Sequence, residues 1–109
     1  MGLAQFTDEV PVIKSTSGIL AFTDKEIAKV KEMSCIRCGN CLTVCPMNLN
    51  PTILARIAKV GAYEHPDSES CLDCIECGCC AFECPSAIPL VQYIRRAKGK
   101  IIAMRKKAG

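Results

Sequence analysis

The stretch that decides the reading is Cys35-Ile-Arg-Cys38-Gly-Asn-Cys41-Leu-Thr-Val-Cys45-Pro46, repeated 39 residues later as Cys74-Ile-Glu-Cys77-Gly-Cys-Cys80-Ala-Phe-Glu-Cys84-Pro85. Aligning Ser34–Pro46 with Asp73–Pro85 leaves seven of thirteen positions identical: four cysteines, Ile36/Ile75, Gly39/Gly78 and Pro46/Pro85. One such run could be chance. Two that agree in the glycine and the closing proline are an internal repeat.

The spacing C-x2-C-x2-C-x3-C-P resembles that of bacterial two-cluster ferredoxins, where each run supplies thiolates to [4Fe–4S] clusters. Three cysteines two residues apart, on a loop that wraps a cubane, reach three irons, so the fourth ligand must come from elsewhere. In those proteins the last cysteine of each run ligates the other cluster. Carried over by position, that implies Cys35, Cys38, Cys41 and Cys84 for cluster I, and Cys74, Cys77, Cys80 and Cys45 for cluster II. Gly39 and Gly78 let the backbone approach a cluster at positive φ, and Pro46 and Pro85 end the short helix carrying the fourth cysteine. Ile36, Leu42, Val44, Ile75 and Phe82 are expected to form a dry shell.

Cys71 and Cys79 are left over. A frame starting at Cys71 would need its fourth ligand at Ala81, so it fails. Cys71 aligns with Glu32 and Cys79 with Asn40, positions that require no thiol, and both are read as spare. His65, in Tyr63-Glu-His-Pro-Asp67, is read as a loop residue because every ligand position is already filled.

Rival readings of the cysteines are weaker. A structural zinc takes four ligands and has no use for this frame. It stands as the alternative: a zinc-binding assembly module without redox activity. A disulfide scaffold would belong to a secreted chain, yet the first residues lack a basic n-region and an apolar h-region.

At 109 residues the chain is expected to be one domain whose small core leans on bound clusters. No apolar run approaches the ~20 residues of a membrane span. The formal charge of +3 counts cysteines as neutral; two clusters at 2− each, thiolates included, would take it to −1. Seven of fourteen Lys and Arg lie between Arg95 and Lys107, a basic tail. No motif points to nucleic acid.

The rest reads as short helices. Thr23-x-x-Glu26 is a capping box opening a helix to about Met33. Asn50 and Pro51 start a second helix that Gly61 closes, with Ile53, Leu54, Ile57, Ala58 and Val60 on one face. Pro89 opens a third, with Leu90, Tyr93, Ile94, Ala97, Ile101 and Met104 on one side and Gly99 as a point of fraying. Glu64 to Ser70 is a polar loop. Val10–Ile13 and Ile19–Phe22 are extended in character and could pair as a short N-terminal hairpin. The organisation expected is an extended lead-in over 1–22, a two-[4Fe–4S] ferredoxin-type domain over 23–98 and a basic tail over 99–109.

Cys45 and Cys74 are separated by 28 residues that include a full helix. Compact two-cluster ferredoxins join their motifs by a short hairpin. The longer spacing is similar to the α-helical ferredoxin fold of succinate dehydrogenase-type iron–sulfur subunits and heterodisulfide reductase C subunits. The expected class is therefore mainly α and α-helical ferredoxin-like.

Beyond the cysteines, the wording is closer still to one family. Cys35-Ile-Arg-Cys-Gly-Asn-Cys, Cys45-Pro-Met-Asn-Leu-Asn-Pro51, Asp73-Cys-Ile-Glu-Cys-Gly-Cys-Cys and Cys84-Pro-Ser-Ala-Ile-Pro-Leu-Val-Gln-Tyr-Ile-Arg95 resemble the C subunit of the Rnf electron-transport complex. So do Val10-Pro-Val-Ile-Lys and Thr16-Ser-Gly-Ile-Leu-Ala, and the resemblance runs over roughly residues 4 to 98. It implies electron transfer through two [4Fe–4S] clusters in a membrane-associated, ion-translocating ferredoxin:NAD oxidoreductase. Its partners would be the other subunits and redox proteins, at the cytoplasmic face of the bacterial inner membrane, or in the cytoplasm for an isolated fragment. The family's flavin and NAD sites lie in an upstream domain. This chain carries no Gly-rich nucleotide loop, so it is expected to be the C-terminal cluster domain alone, with no catalytic residue and no enzyme activity of its own.

Overall fold

A computed structural model of the chain describes residues 7–25 and 31–108. Four α-helices and one 3₁₀ helix follow in order: α1 (Asn40–Val44), α2 (Pro51–Val60), the 3₁₀ helix (Pro66–Asp73), α3 (Cys79–Glu83) and α4 (Leu90–Ala108). No strand occurs among the described residues, so the fold is mainly α.

The repeat of the sequence is a repeat of the backbone. α1 and α3 cover the same five positions of the two cysteine runs. Gly39 and Gly78, at φ 78° and 87°, precede them, a conformation in which a Cβ is strained. Cys45 and Cys84 follow in extended conformation, and the next-residue prolines prevent further helix. Arg37 and Glu76 are left-handed at 56° and 57°, as are Asn48 and Ala87 at 54° and 53°. Asn48 N–H donates to the Cys45 carbonyl and Ala87 N–H to that of Cys84, both at 3.2 Å.

The connection between the halves builds the core. The Asn50 side chain accepts the Ile53 N–H at 3.3 Å, Pro51 takes the first helical position, and Gly61 at φ 78° sends its N–H back to the Ile57 carbonyl at 2.8 Å. α2 therefore begins and ends where its caps dictate. It packs along α4. Leu54, Ala58, Cys71, Ile94, Ala97 and Ile101 form one buried cluster; Cys41, Ala55, Cys80, Ile88, Leu90 and Val91 form another. The face of α2 expected from the sequence is shifted: Ala55 is buried, while Ile53 and Val60 are exposed. On α4, Met104 is likewise exposed.

Several expectations are corrected. The hairpin is not formed. The Ile13 N–H donates to Thr16 Oγ1 and the Thr16 N–H to the Ile13 carbonyl, both at 3.0 Å, a tight local turn instead of a ladder. A lone two-stranded ribbon with no core to cover it is marginal in water. The polar stretch before the second run is the 3₁₀ helix, with Pro66 at its start and His65 Nδ1 accepting the Asp67 N–H at 3.2 Å. α4 continues through Gly99 to Ala108, because Ala97 and Ile101 are buried on either side of the glycine. The helix expected from Thr23 to about Met33 falls largely on residues 26–30, outside the described residues; positions 23–25 and 31–33 beside them are not helical.

Two contacts join the sequence before the first run to the sequence after the second. The buried Ser86 hydroxyl donates to the Ser34 carbonyl at 2.8 Å, and the Met33 N–H donates to the Ser86 carbonyl at 2.9 Å. They hold the start of one run beside the end of the other. α1 and α3 also pack directly together.

Candidate metal centre

That arrangement brings eight cysteines together in two crossed sets. Cys35, Cys38 and Cys41 line a cavity of about 410 Å3, and the fourth cysteine in its wall is Cys84, from the other run. Cys74, Cys77 and Cys80 line a second, narrow cavity of about 20 Å3 together with Cys45. Leu90 at the start of α4 lines the first, and Val91 and Ile94 line the second. All ten cysteines are free thiols.

The donor sets suit a polynuclear cluster. Among the described residues no three Cys, His, Asp or Glu side chains converge closely enough to hold a single metal ion. The first set surrounds a volume that could take such a cluster, whereas a zinc draws four sulfurs to about 2.3 Å of one point; the second set encloses room for little more than a water, so its fit rests on its donors and their order alone. Backbone N–H groups already aim at sulfur, among them Arg37 to Cys35 Sγ, Glu76 to Cys74 Sγ and Leu49 to Cys45 Sγ, each at 3.4 Å. Such bonds stabilise added negative charge on a cluster and raise its potential.

The electrostatics follow the repeat in part. The third cysteine of each run is buried, and burial pushes the Cys41 thiol up and that of Cys80 up to about 11. Ligands bind as thiolates, so loading these sites releases protons. Cys77 is lowered, first by the Cys79 backbone N–H, against the opposing effect of burial. Glu76 sits where the first run has Arg37. Its carboxylate meets Arg95 Nε at 2.8 Å and Lys98 Nζ at 3.3 Å, and Lys98 also donates to the Cys74 carbonyl at 2.6 Å.

The two spare cysteines differ. Cys71 is 0% exposed, packed among core side chains, and burial raises its thiol; Cys79 lies exposed on α3. The expected dry shell is corrected in part: Ile36 and Leu42 line the first cavity and Ile75 the second, but all three are exposed, Val44 is half-buried, and Phe82 is 87% exposed and lines neither. The five-residue helices α1 and α3 turn Cys41 and Cys80 to the core and leave Leu42 and Phe82 outside, and Ile36 and Ile75 lie before the helices. Arg56 and Ile53 of α2, which sequence reasoning did not connect to the cysteines, also line the first cavity. Nothing in their spacing marks them; only the packing of α2 brings them there.

Residues 28–49, which contain the first run, match the family model of the 4Fe-4S binding domain. The chain is 46% identical over 101 residues, 92% of its length, to the C subunit of a proton-translocating ferredoxin:NAD(+) oxidoreductase complex from Clostridium ljungdahlii. It is 47% identical over 108 residues, 98% of its length, to the C subunit of a Na(+)-translocating ferredoxin:NAD(+) oxidoreductase complex from Acetobacterium woodii. Over nearly its whole length, then, the chain is similar to one part of these C subunits. A third such protein, from an ion-translocating oxidoreductase complex of Methanosarcina acetivorans, is 45% identical over 93% of this chain. The chain spans less than a quarter of the length of these three relatives: 22%, 24% and 23%. The match to the 4Fe-4S domain and the similarity to these C subunits leave the zinc-module alternative disfavoured. Among the described residues, no helix is long and apolar enough to cross a membrane.

Proposed function

We propose that this chain is an electron-transfer module holding two [4Fe–4S] clusters within an ion-translocating ferredoxin:NAD oxidoreductase complex. The observation that carries the reading is the crossed lining of the two cavities: three cysteines of one run and the last of the other, twice. Cys35, Cys38, Cys41 and Cys84 would hold one cluster, and Cys74, Cys77, Cys80 and Cys45 the other. A [4Fe–4S] cluster supplies one-electron redox chemistry. The chain's own part is to fix the sulfurs, aim N–H groups at them and hold the sites side by side through α1, α3 and the Ser86 contacts. It performs no bond-making step, and flavin and NAD belong to other parts of the larger protein. With no membrane-crossing helix among the described residues, it would sit peripherally, on the cytoplasmic face of the membrane, bound to other subunits.

Anaerobically reconstituted protein should contain about eight irons and eight acid-labile sulfides per chain and show a broad visible band bleached by dithionite. A colourless protein with stoichiometric zinc, obtained under the same conditions, would end this reading.

A further inference from the structure

On α4, Val91 and Ile94 line the second cavity. Lys98 follows Ile94 by one turn on the same face. Its side chain is 22% exposed, and its ammonium donates to the Cys74 carbonyl at 2.6 Å and meets Glu76 Oε1 at 3.3 Å. Arg95, three residues earlier, holds the other oxygen of that carboxylate at 2.8 Å. Among the described residues no other lysine or arginine donates to the carbonyl of a cavity-lining cysteine.

These contacts exceed what a surface ion pair needs, since Arg95 alone already pairs Glu76. A lysine drawn out of water costs free energy unless acceptors replace its hydration. Both acceptors of Lys98 come from one short loop, the residue that opens the second run and the one before its second cysteine. Cys74 is extended at φ −67° and ψ 124°, and Glu76 turns back at φ 57°. The Glu76 N–H thereby reaches Cys74 Sγ at 3.4 Å, while its carboxylate meets α4.

We propose that Lys98 is a positioning residue that raises the reduction potential of the second cluster. The inference rests on the two-cluster reading above. One added electron takes a [4Fe–4S] cluster and its four thiolates from 2− to 3−. A cation fixed at the backbone of a ligand stabilises the more negative form and so favours reduction. Glu76 acts in the opposite sense, but the two cations beside it leave the group at +1. A unit charge about 10 Å away, at an effective dielectric constant of about 20, moves such an equilibrium about tenfold.

The test is a potentiometric titration of the anaerobically reconstituted chain, with dithionite as the electron donor and paramagnetic resonance as the readout. Iron content of every protein is measured first, and Cys74→Ala marks the signal of the second site. Lys98→Met should make that site about tenfold harder to reduce, about 59 mV for one electron, and leave the first unchanged. Lys98→Arg keeps the charge and should stay within about twofold of the unaltered chain. Glu76→Gln should make the second site easier to reduce by a similar factor. Lys98→Met and Glu76→Gln break the same ion pair, so a site that is merely loosened would move the same way in both. Opposite shifts are the mark of charge. Should Lys98→Met fail to load iron, Lys98→Gln, which can still donate to the Cys74 carbonyl, gives the same comparison. Shifts of one sign, no shift in either variant, or a shift confined to the first site would overturn the proposal. An unaltered chain that loads well under about eight irons would instead remove the two-cluster reading, and that failure shows before any potential is measured.

Discussion

The buried hydroxyl of Ser86 donates to the carbonyl of Ser34 at 2.8 Å, across 52 residues of sequence. Ser34 precedes the first ligand candidate of one run, and Ser86 follows the last of the other by two residues. This bond therefore closes the wall of the first cavity, where Cys84 meets Cys35, Cys38 and Cys41. Ser86→Ala removes it while the Met33–Ser86 backbone bond remains. The expected loss is about 1 kcal/mol, the net worth of one neutral hydrogen bond. Denaturant unfolding of the two proteins measures it, and an unchanged midpoint would show that the contact contributes nothing.

Cysteines 71, 74 and 79 should separate cleanly. Cys71→Ser places a hydroxyl in a fully buried apolar site and should lower stability by about 1–3 kcal/mol while iron content is kept. Cys79→Ser, on an exposed position, should change neither. Cys74→Ser should lose iron. If Cys71→Ser lost a cluster and Cys74→Ser did not, the ligand frame would be wrong.

Much of this was legible in the sequence, because the informative residues act locally. The caps Asn50 and Gly61 set the ends of α2 through their own hydrogen bonds, and the cysteine runs with Gly39, Gly78 and the prolines specify α1 and α3. What was not legible depends on packing. Gly99 reads as a weak point until Ala97 and Ile101 are seen anchored in the core. Val10–Ile13 and Ile19–Phe22 read as strands, but no partner surface exists among the described residues to make pairing worthwhile. The crossing of Cys45 and Cys84 was implied by family resemblance alone; spacing leaves the fourth ligand open. Arg56 and Ile53 reach the first cavity only because α2 folds back over it.

Glu76 gives a pH dependence. Burial pushes its carboxyl up, but hydrogen bonds from Arg95 and Lys98, with their charges, outweigh that and hold it below the usual carboxylate range. A depressed folded-state pKa contributes stability above the unfolded value, about 4.3 for Glu, and that stability is lost as pH falls through the lower folded value. The side chain is 25% exposed, so the contribution is modest, about 0.5–1 kcal/mol. Glu76→Gln should be less stable than the unaltered chain by that amount at pH 7. The gap should narrow as pH drops below about 4. A gap constant from pH 7 to 3 would mean the ion pairs do not stabilise the fold.

The crossing itself is tested most directly by paramagnetic resonance of reduced Cys45→Ala beside Cys84→Ala, each anaerobically reconstituted. Cys35→Ala and Cys74→Ala serve as references for the two sites. Cys45→Ala should reproduce the spectral loss of Cys74→Ala, and Cys84→Ala that of Cys35→Ala, because each last cysteine lines the cavity of the opposite run. If Cys45→Ala instead matched Cys35→Ala, each run would complete its own site, and the crossed two-cluster module would be contradicted.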